Sequence, residues 1–158
     1  MPQLSVPYGS QQSSFDHGYG MVLPWVERLT LQSAELNVEH RELLQKLNTL
    51  LLTLDSGDTM RITMACDVLS AEVQLHFAKE RELMLAADYP DSATHIEQHE
   101  ELMRALAGFR FALTSTIGVW SPVDAESMLE QWFVPHLTHA DRRLAEFMAA
   151  RGDTPDAA

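Results

Sequence analysis

Cysteine is almost absent from this sequence, and long apolar runs are missing. Cys66 is the single cysteine among 158 residues, which excludes an intramolecular disulfide and any metal site built from several thiolates. The most apolar stretch, Leu47 to Leu54, is too short to span a bilayer. Residues 1–20 have neither a basic start nor an apolar run and are not a secretory signal. We therefore expect a cytoplasmic protein without membrane insertion.

Basic residues are also scarce. The chain has 11 Lys and Arg against 23 Asp and Glu, for a formal charge of −12. Such a charge repels phosphate backbones and anionic lipid headgroups, so neither nucleic acid nor a membrane surface is an expected partner. Apolar residues make up 46% of the chain, which is enough for one domain with a real core.

The composition divides the chain into three parts. Residues 1–22 are rich in Ser, Gln, Gly and Pro and carry little apolar pattern, which predicts a flexible N-terminal arm. Residues 23–151 carry the apolar periodicity of a folded domain. Residues 152–158 read as a frayed C-terminal tail.

Four amphipathic helical patterns fill the central part, and the connections between them are short. This arrangement predicts an all-α, up-down-up-down four-helix bundle. The first pattern has Asn37 as its expected N-cap, and the fourth has Ser121 as N-cap with Pro122 in its first turn. The first predicted helix ends near Leu54, and the second runs from about Thr59 to Ala87. The third runs from near Ser92 to about Thr116, and the fourth from Pro122 to about Ala150.

The spacing of histidines on these helices is the most informative feature. His76 and Glu80 are four residues apart, and so are His95 and His99. Residues at this separation differ by about 40° around a helix axis, so each pair projects from one face. His40 on the first helix and His136 on the fourth add one imidazole each. Four facing helices can bring these groups to one point inside a bundle.

A single helical histidine is more often a surface or hydrogen-bonded residue than a metal ligand. His17 lies in the predicted arm, and we expect His139, three residues after His136, to face outward. Five imidazoles in apolar surroundings would nevertheless be costly to bury without a partner. A bound metal converts that cost into binding energy. Cys66 reads as a small core residue.

The candidate ligands are five imidazoles and the two carboxylates of Glu80 and Asp141. None of them is a thiolate. This set has too many donors for one tetrahedral zinc ion and too many nitrogens for calcium or magnesium. Imidazoles with bridging carboxylates suit two iron ions, with manganese or cobalt as substitutes.

These residues together resemble the hemerythrin family. His76 to Glu80 is similar to its H-F-x-x-E motif, and His95 to His99 to its H-x-x-x-H motif. His136 to Asp141 is similar to H-x-x-x-x-D, with Trp132 ahead of it. His40 matches the histidine of the first helix, and Trp25 lies fifteen residues before it. The resemblance covers about residues 23–150 and fills all seven ligand positions.

The resemblance implies a division of the ligands between two iron ions. One ion would take His95, His99 and His136, and the other His40 and His76. Glu80, Asp141 and an oxo or hydroxo group would bridge both, which leaves one position open on the second ion. Molecular oxygen would bind there, next to an apolar oxygen pocket formed by Leu43, Phe77, Trp132, Phe133 and Leu137. The same apolar residues would be core in any bundle.

Two features of the fourth helix predict an irregularity near the site. Pro135 directly precedes His136 and removes a backbone hydrogen bond. His136 and Asp141 are five residues apart, which places them about 140° apart on a regular helix. Either Asp141 reaches around the turn or the helix contains a π-type bulge. We favour the bulge.

The leading functional hypothesis is reversible oxygen binding at a non-haem di-iron centre, for storage, delivery or sensing, with no catalytic residues. The candidate protein partner is a reductase or an oxygen-consuming enzyme. One alternative is a di-iron enzyme acting on oxygen, peroxide or nitric oxide, which would need a proton donor near the open position. A second alternative is an iron reservoir, which readily exchanged iron would support.

Overall fold

The computed structural model describes residues 27–115 and 122–152, nearly all of them helical. No strand occurs within these two ranges, and none of their helices is both long and apolar enough to cross a membrane. A short 3-10 turn, Glu27–Leu29, precedes the first helix. The helices are α1 (Ala34–Leu54), α2 (Thr59–Ala86), α3 (Ser92–Thr114), α4 (Pro122–Pro135) and α5 (Arg142–Arg151), with a π-helical segment, His136–Asp141, between the last two.

The helices pack as a four-helix bundle, which confirms the predicted fold class. α1 packs along α2, α2 along α3, and α1 against α4. The fourth rod of the bundle consists of α4, the π segment and α5, because Pro135, Asp141 and Arg142 at its two junctions all have right-handed helical backbone angles. The predicted arm at residues 1–22, the predicted cap Ser121 and residues 153–158 of the predicted tail lie outside the described residues.

The start of α1 differs from the prediction, because Asn37 is not its N-cap. The helix begins at Ala34, and the Ser33 hydroxyl accepts the backbone N–H of Leu36 at 3.3 Å. The Asn37 amide instead pairs with both backbone groups of Leu31: its oxygen accepts the N–H at 2.8 Å, and its nitrogen donates to the carbonyl at 2.9 Å. Serine caps a helix as well as asparagine does, and Ser33 stands four residues earlier in the sequence. The Asn37 side chain instead binds the segment that precedes the helix.

Short connections hold successive helices side by side. Between α1 and α2, Gly57 has φ +63°, a left-handed conformation that costs glycine nothing. Asp58 then caps α2 by accepting the backbone N–H groups of Met60 and Arg61. Between α2 and α3, the backbone N–H of Tyr89 returns to the carbonyl of Met84 at 2.9 Å. Connections of this length leave consecutive helices antiparallel.

The core of the bundle has an apolar half and a polar half. Cys66 is fully buried in the apolar half, as predicted for a small core residue. Smaller apolar clusters around Leu36 and Met84 lie toward the other end of the bundle. The polar ring nitrogens and carboxylates are therefore enclosed by apolar packing, which excludes water from them. The apolar half consists of Leu43, Leu44, Leu47, Leu50, Leu51, Ile62, Cys66, Leu69, Val73, Leu106 and Phe109.

Candidate metal centre

All four rods of the bundle contribute to one buried polar cluster. α1 provides one residue, α2 two, α3 two and the π segment two, and every one of them is less than a tenth exposed. In sequence order they are His40, His76, Glu80, His95, His99, His136 and Asp141. The structure thus brings together each of the seven residues that the sequence analysis named as candidate ligands. His139 is exposed, as expected.

The π segment explains how His136 and Asp141 both point inward. A π-type turn contains an extra residue, so five residues complete about one turn instead of the 3.6 of an α-helix. The segment covers the residues from His136 to Asp141, and both end residues are buried. The predicted bulge is therefore present, and Asp141 does not need to reach around a regular turn.

Pro135 stands immediately before this segment, and two side chains of the segment contact backbone carbonyls beside it. The Thr138 hydroxyl donates to the carbonyl of Val134 at 2.8 Å. The exposed His139 ring lies with Nδ1 2.9 Å from the carbonyl of Pro135. Both contacts join side chains of the π segment to the carbonyls of the last turn of α4. The proline does not displace His136 from the cluster.

The seven residues form two groups that share both carboxylates. One group contains three imidazoles, those of His95, His99 and His136, and the other contains the imidazoles of His40 and His76. Glu80 and Asp141 belong to both groups. Within each group one ligand atom from every residue lies within 4.8 Å of all the others.

Each carboxylate directs one oxygen toward each group. Asp141 Oδ1 lies 3.0 Å from His136 Nε2 and 3.1 Å from His95 Nε2, whereas Oδ2 lies 3.2 Å from His40 Nε2. Glu80 repeats this division: Oε2 lies 3.0 Å from His99 Nε2, and Oε1 lies 3.6 Å from His76 Nε2. Two carboxylates placed between two sets of imidazoles are arranged as bridging ligands.

The donor atoms fit two octahedral metal ions better than a hydrogen-bonded network. The Nε2 atoms of His40 and His76 lie 3.2 Å apart, and those of His99 and His136 3.1 Å apart. Adjacent donors of an octahedral ion with bonds of about 2.1 Å are separated by about 3.0 Å. Among the described residues, the carboxylate oxygens of Glu80 and Asp141 accept no hydrogen bond, which is costly for buried charges unless a cation pairs with them.

The cluster is strongly charged. Burial and the nearby Asp141 would raise the pKa of Glu80, yet the surrounding imidazoles lower it to about 2. Burial would also raise the pKa of Asp141, but His136, His40 and His95 hold it well below its usual value. Burial would lower the pKa of His95, but the two carboxylates raise it to about 9. Both carboxylates are therefore ionised, and a metal ion must displace protons from imidazole to bind.

Glu39 supports the cluster from outside, a role that the sequence analysis missed. Its Oε2 accepts the Nδ1–H of His76 at 2.8 Å, and its Oε1 accepts Lys79 Nζ at 2.7 Å. Burial would raise the pKa of Glu39, but these two bonds lower it. A carboxylate on Nδ1 orients the ring and leaves Nε2 free to bind a metal. The signal in the sequence was an acid adjacent to His40 on the helix that faces α2.

An apolar cavity of about 50 Å³ adjoins the cluster. Four of the five predicted oxygen-pocket residues line it, and Leu137 is buried in the π segment away from its wall. The Phe77 ring connects cavity and cluster, because it stacks on His99 with centroids 3.7 Å apart. The lining residues are Leu43, Leu47, Leu69, Val73, Phe77, Leu102, Leu106, Trp132 and Phe133.

Comparison with known proteins agrees with this geometry. Residues 32–148 match the family described as the Hemerythrin HHE cation binding domain. A bacteriohemerythrin of Ralstonia nicotianae is 28% identical over 137 residues, covering 86% of this chain and 94% of the relative. A bacteriohemerythrin of Stenotrophomonas maltophilia is 26% identical over 129 residues, covering 82% of this chain and 83% of the relative.

Solved structures show the same fold. A crystal structure of a hemerythrin point mutant superposes with a TM-score of 0.72 at 20% identity, covering 82% of this chain and 99% of that one. Because the family match extends over most of the chain, and because the buried His, Glu and Asp cluster provides ligands for a metal centre, the chain belongs to the hemerythrin HHE cation-binding family, whose cofactor is a pair of iron ions.

Proposed function

We propose that this protein binds molecular oxygen reversibly at its di-iron centre, for storage, delivery or sensing. The observation that carries the proposal is the unequal division of the imidazoles between two groups that share both carboxylates. Counting protein donors gives five for the three-imidazole group and four for the other. If each ion is octahedral and solvent supplies one further bridge, the first ion would be fully coordinated and the second would keep one position open for a small ligand.

In this proposal His95, His99 and His136 hold one iron, and His40 and His76 hold the other. Glu80 and Asp141 bridge the two, in keeping with the division of their oxygens between the groups. When bound, the iron pair supplies the electrons that hold oxygen reversibly. Glu39 fixes the orientation of His76 on the ion with the open position.

The ligand set favours binding over activation of oxygen. Di-iron bundles of the ferritin-like class use four glutamates and two histidines, and anionic ligands stabilise highly oxidised iron. Here neutral imidazoles outnumber carboxylates by five to two. A ligand set with less negative charge disfavours cleavage of the O–O bond, and this supports an oxygen-binding protein rather than an oxygenase.

The apolar cavity supports the same conclusion. Every side chain that lines it is aliphatic or aromatic, so none can act as a general acid toward oxygen bound nearby. Proton delivery would promote loss of oxygen as peroxide, and a dry pocket suppresses it. The cavity also offers an apolar gas a favourable environment beside the centre.

The proposal is tested by cycling the iron-loaded protein through three states while recording its optical spectrum. The protein is reduced without oxygen, exposed to air and then deoxygenated, with peroxide assayed throughout. We expect an oxygen-dependent absorption band that appears and disappears over several cycles without release of peroxide. Immediate conversion to a stable ferric form with release of peroxide would support a di-iron enzyme, and ready loss of iron to a chelator would support a reservoir.

A further inference from the structure

The second helix, α2, is apolar on two opposite faces. Its inner face carries buried residues such as Leu69 and Val73 of the apolar core. Its outer face carries a row of apolar side chains that no described residue buries: Met60 is 74% exposed, Met64 62% and Leu75 54%. This row, called the outer seam below, consists of Met60, Met64, Val68, Ala71, Leu75 and Ala78, all of them exposed.

The spacing of the outer seam is that of a helix–helix contact. From Met64 to Ala78 the intervals are four, three, four and three residues, which is the 3.5-residue repeat of paired helices. A helix that packs only inside its own bundle needs one apolar stripe and a polar outer face. Two small residues, Ala71 and Ala78, alternate with larger ones along the seam and permit close approach of a second helix.

We propose that the outer seam is a homodimer interface in which the α2 helices of two copies pack antiparallel. The charges that flank the seam argue for this occupant and orientation. The first half of the seam is flanked by Arg61, Asp67 and Glu72, and the second half by Lys79, Arg81 and Glu82. Within the chain Asp67 also pairs with Arg110, and Lys79 with Glu39. Parallel pairing would place like charges together, whereas antiparallel pairing places Arg61 toward Glu82, and Asp67 toward Arg81, of the other copy.

One antiparallel register also matches the sizes of the seam residues. With a two-fold axis near residue 73, Ala71 of one copy faces Leu75 of the other, and Val68 faces Ala78. In both pairs a larger side chain meets a smaller one, as in a well-packed helix pair. Met60 and Met64 lie opposite Ala86 and Glu82 of the other copy. The same register brings Asp67 of one copy beside Arg81 of the other.

The area of this face indicates a weak dimer. In this register the two α2 helices overlap from Met60 to Ala86, a strip about 39 Å long and about 10 Å wide, so each copy would bury about 400 Å². A total of about 800 Å² lies below the range of about 1,200–2,000 Å² for stable complexes. We therefore expect a concentration-dependent dimer with a dissociation constant in the micromolar range.

Sedimentation equilibrium of the full-length, iron-loaded protein tests the interface. Protein concentrations from about 5 µM to about 1 mM would bracket a dissociation constant typical of a small interface. The wild type should pass from monomer to dimer. Val68→Glu should weaken dimerisation at least tenfold, because it places a charge in the seam. The matched control Val38→Glu, at an exposed valine of α1, should dimerise as the wild type does. A wild type that stays monomeric throughout, or a Val68→Glu protein that dimerises normally, would overturn the proposal.

Arg81→Glu tests the antiparallel orientation and does not depend on a buried position, because Arg81 is exposed. The variant should dimerise several-fold more weakly than the wild type, with an unchanged circular dichroism spectrum. Raising the salt concentration should weaken the wild-type dimer, since exposed charge pairs are screened. A dimer that Arg81→Glu leaves unchanged or tightens would refute antiparallel pairing.

Discussion

Asp141→Asn removes one bridging carboxylate while leaving the shape of the side chain almost unchanged. Asp141 is fully buried, and its two oxygens face different histidine groups at 3.0 to 3.2 Å. An amide keeps one oxygen acceptor and replaces the other with an NH₂ donor. The NH₂ group cannot bind a metal through a lone pair, so one of the two ions loses a ligand. We expect the variant to bind no more than one iron per chain at full affinity.

The size of the effect follows from linkage between metal binding and folding. An ion present at about 1,000 times its dissociation constant stabilises the folded state by about 4 kcal/mol. Loss of one ion should therefore remove about 4 kcal/mol of the metal-dependent stability. For a domain of this size, 1 kcal/mol corresponds to about 3 °C in Tm. Loss of the ion should therefore lower the Tm of the iron-loaded protein by about 12 °C.

Calorimetry with and without iron, combined with a colorimetric iron assay, separates loss of metal from damage to the fold. Without iron the substitution removes a buried carboxylate that pairs with imidazoles, so the iron-free variant should also melt below the iron-free wild type. The predicted difference of about 12 °C is therefore the further difference in Tm that appears only when iron is present. Asp55→Asn, at an exposed aspartate, is the matched control and should retain two irons. An Asp141→Asn protein with two irons and an unchanged Tm would refute the assignment of Asp141 as a bridge.

Three further substitutions or treatments have defined outcomes. Glu39→Gln removes the charged acceptor of His76 and should weaken iron binding by about 10-fold to 100-fold, as measured by competition with a chelator. The control Glu42→Gln, at an exposed glutamate, should bind iron as the wild type does. Val73→Leu adds a methylene to the wall of the apolar cavity and leaves less room for oxygen beside the centre, so stopped-flow mixing should show several-fold slower oxygen association. Unchanged association would contradict the role of this cavity as the oxygen pocket. Burial raises the pKa of Cys66 to about 11, so about one thiol in a thousand is ionised at pH 8. A disulfide reagent should therefore leave Cys66 unmodified until the protein is denatured.

The histidine positions were predictable because helix geometry translates spacing into direction. Intervals of four residues placed His76 with Glu80 and His95 with His99, and the structure brings both pairs into one cluster. The interval of five before Asp141 was informative for the opposite reason. It fits no regular helix, and the structure contains a π segment there. A spacing that violates the regular period can therefore identify a functional irregularity.

Other features depend on tertiary contacts that local sequence does not reveal. Asn37 has the chemistry of an N-cap, but Ser33 has it too, and only the contact with Leu31 shows why the helix begins earlier. Glu39 gains its role from His76, which lies 37 residues away on another helix. The outward position of Met64 and its neighbours was hidden because α2 is apolar on both faces, which obscures the helical periodicity.

Anomalous diffraction at the iron edge from crystals of the iron-loaded protein would test the central claim directly. We expect two iron peaks per chain. One should lie within bonding distance of Nε2 of His95, His99 and His136, the other within bonding distance of His40 and His76, with Glu80 and Asp141 in contact with both. A single peak, or two peaks that do not share these carboxylates, would contradict the account.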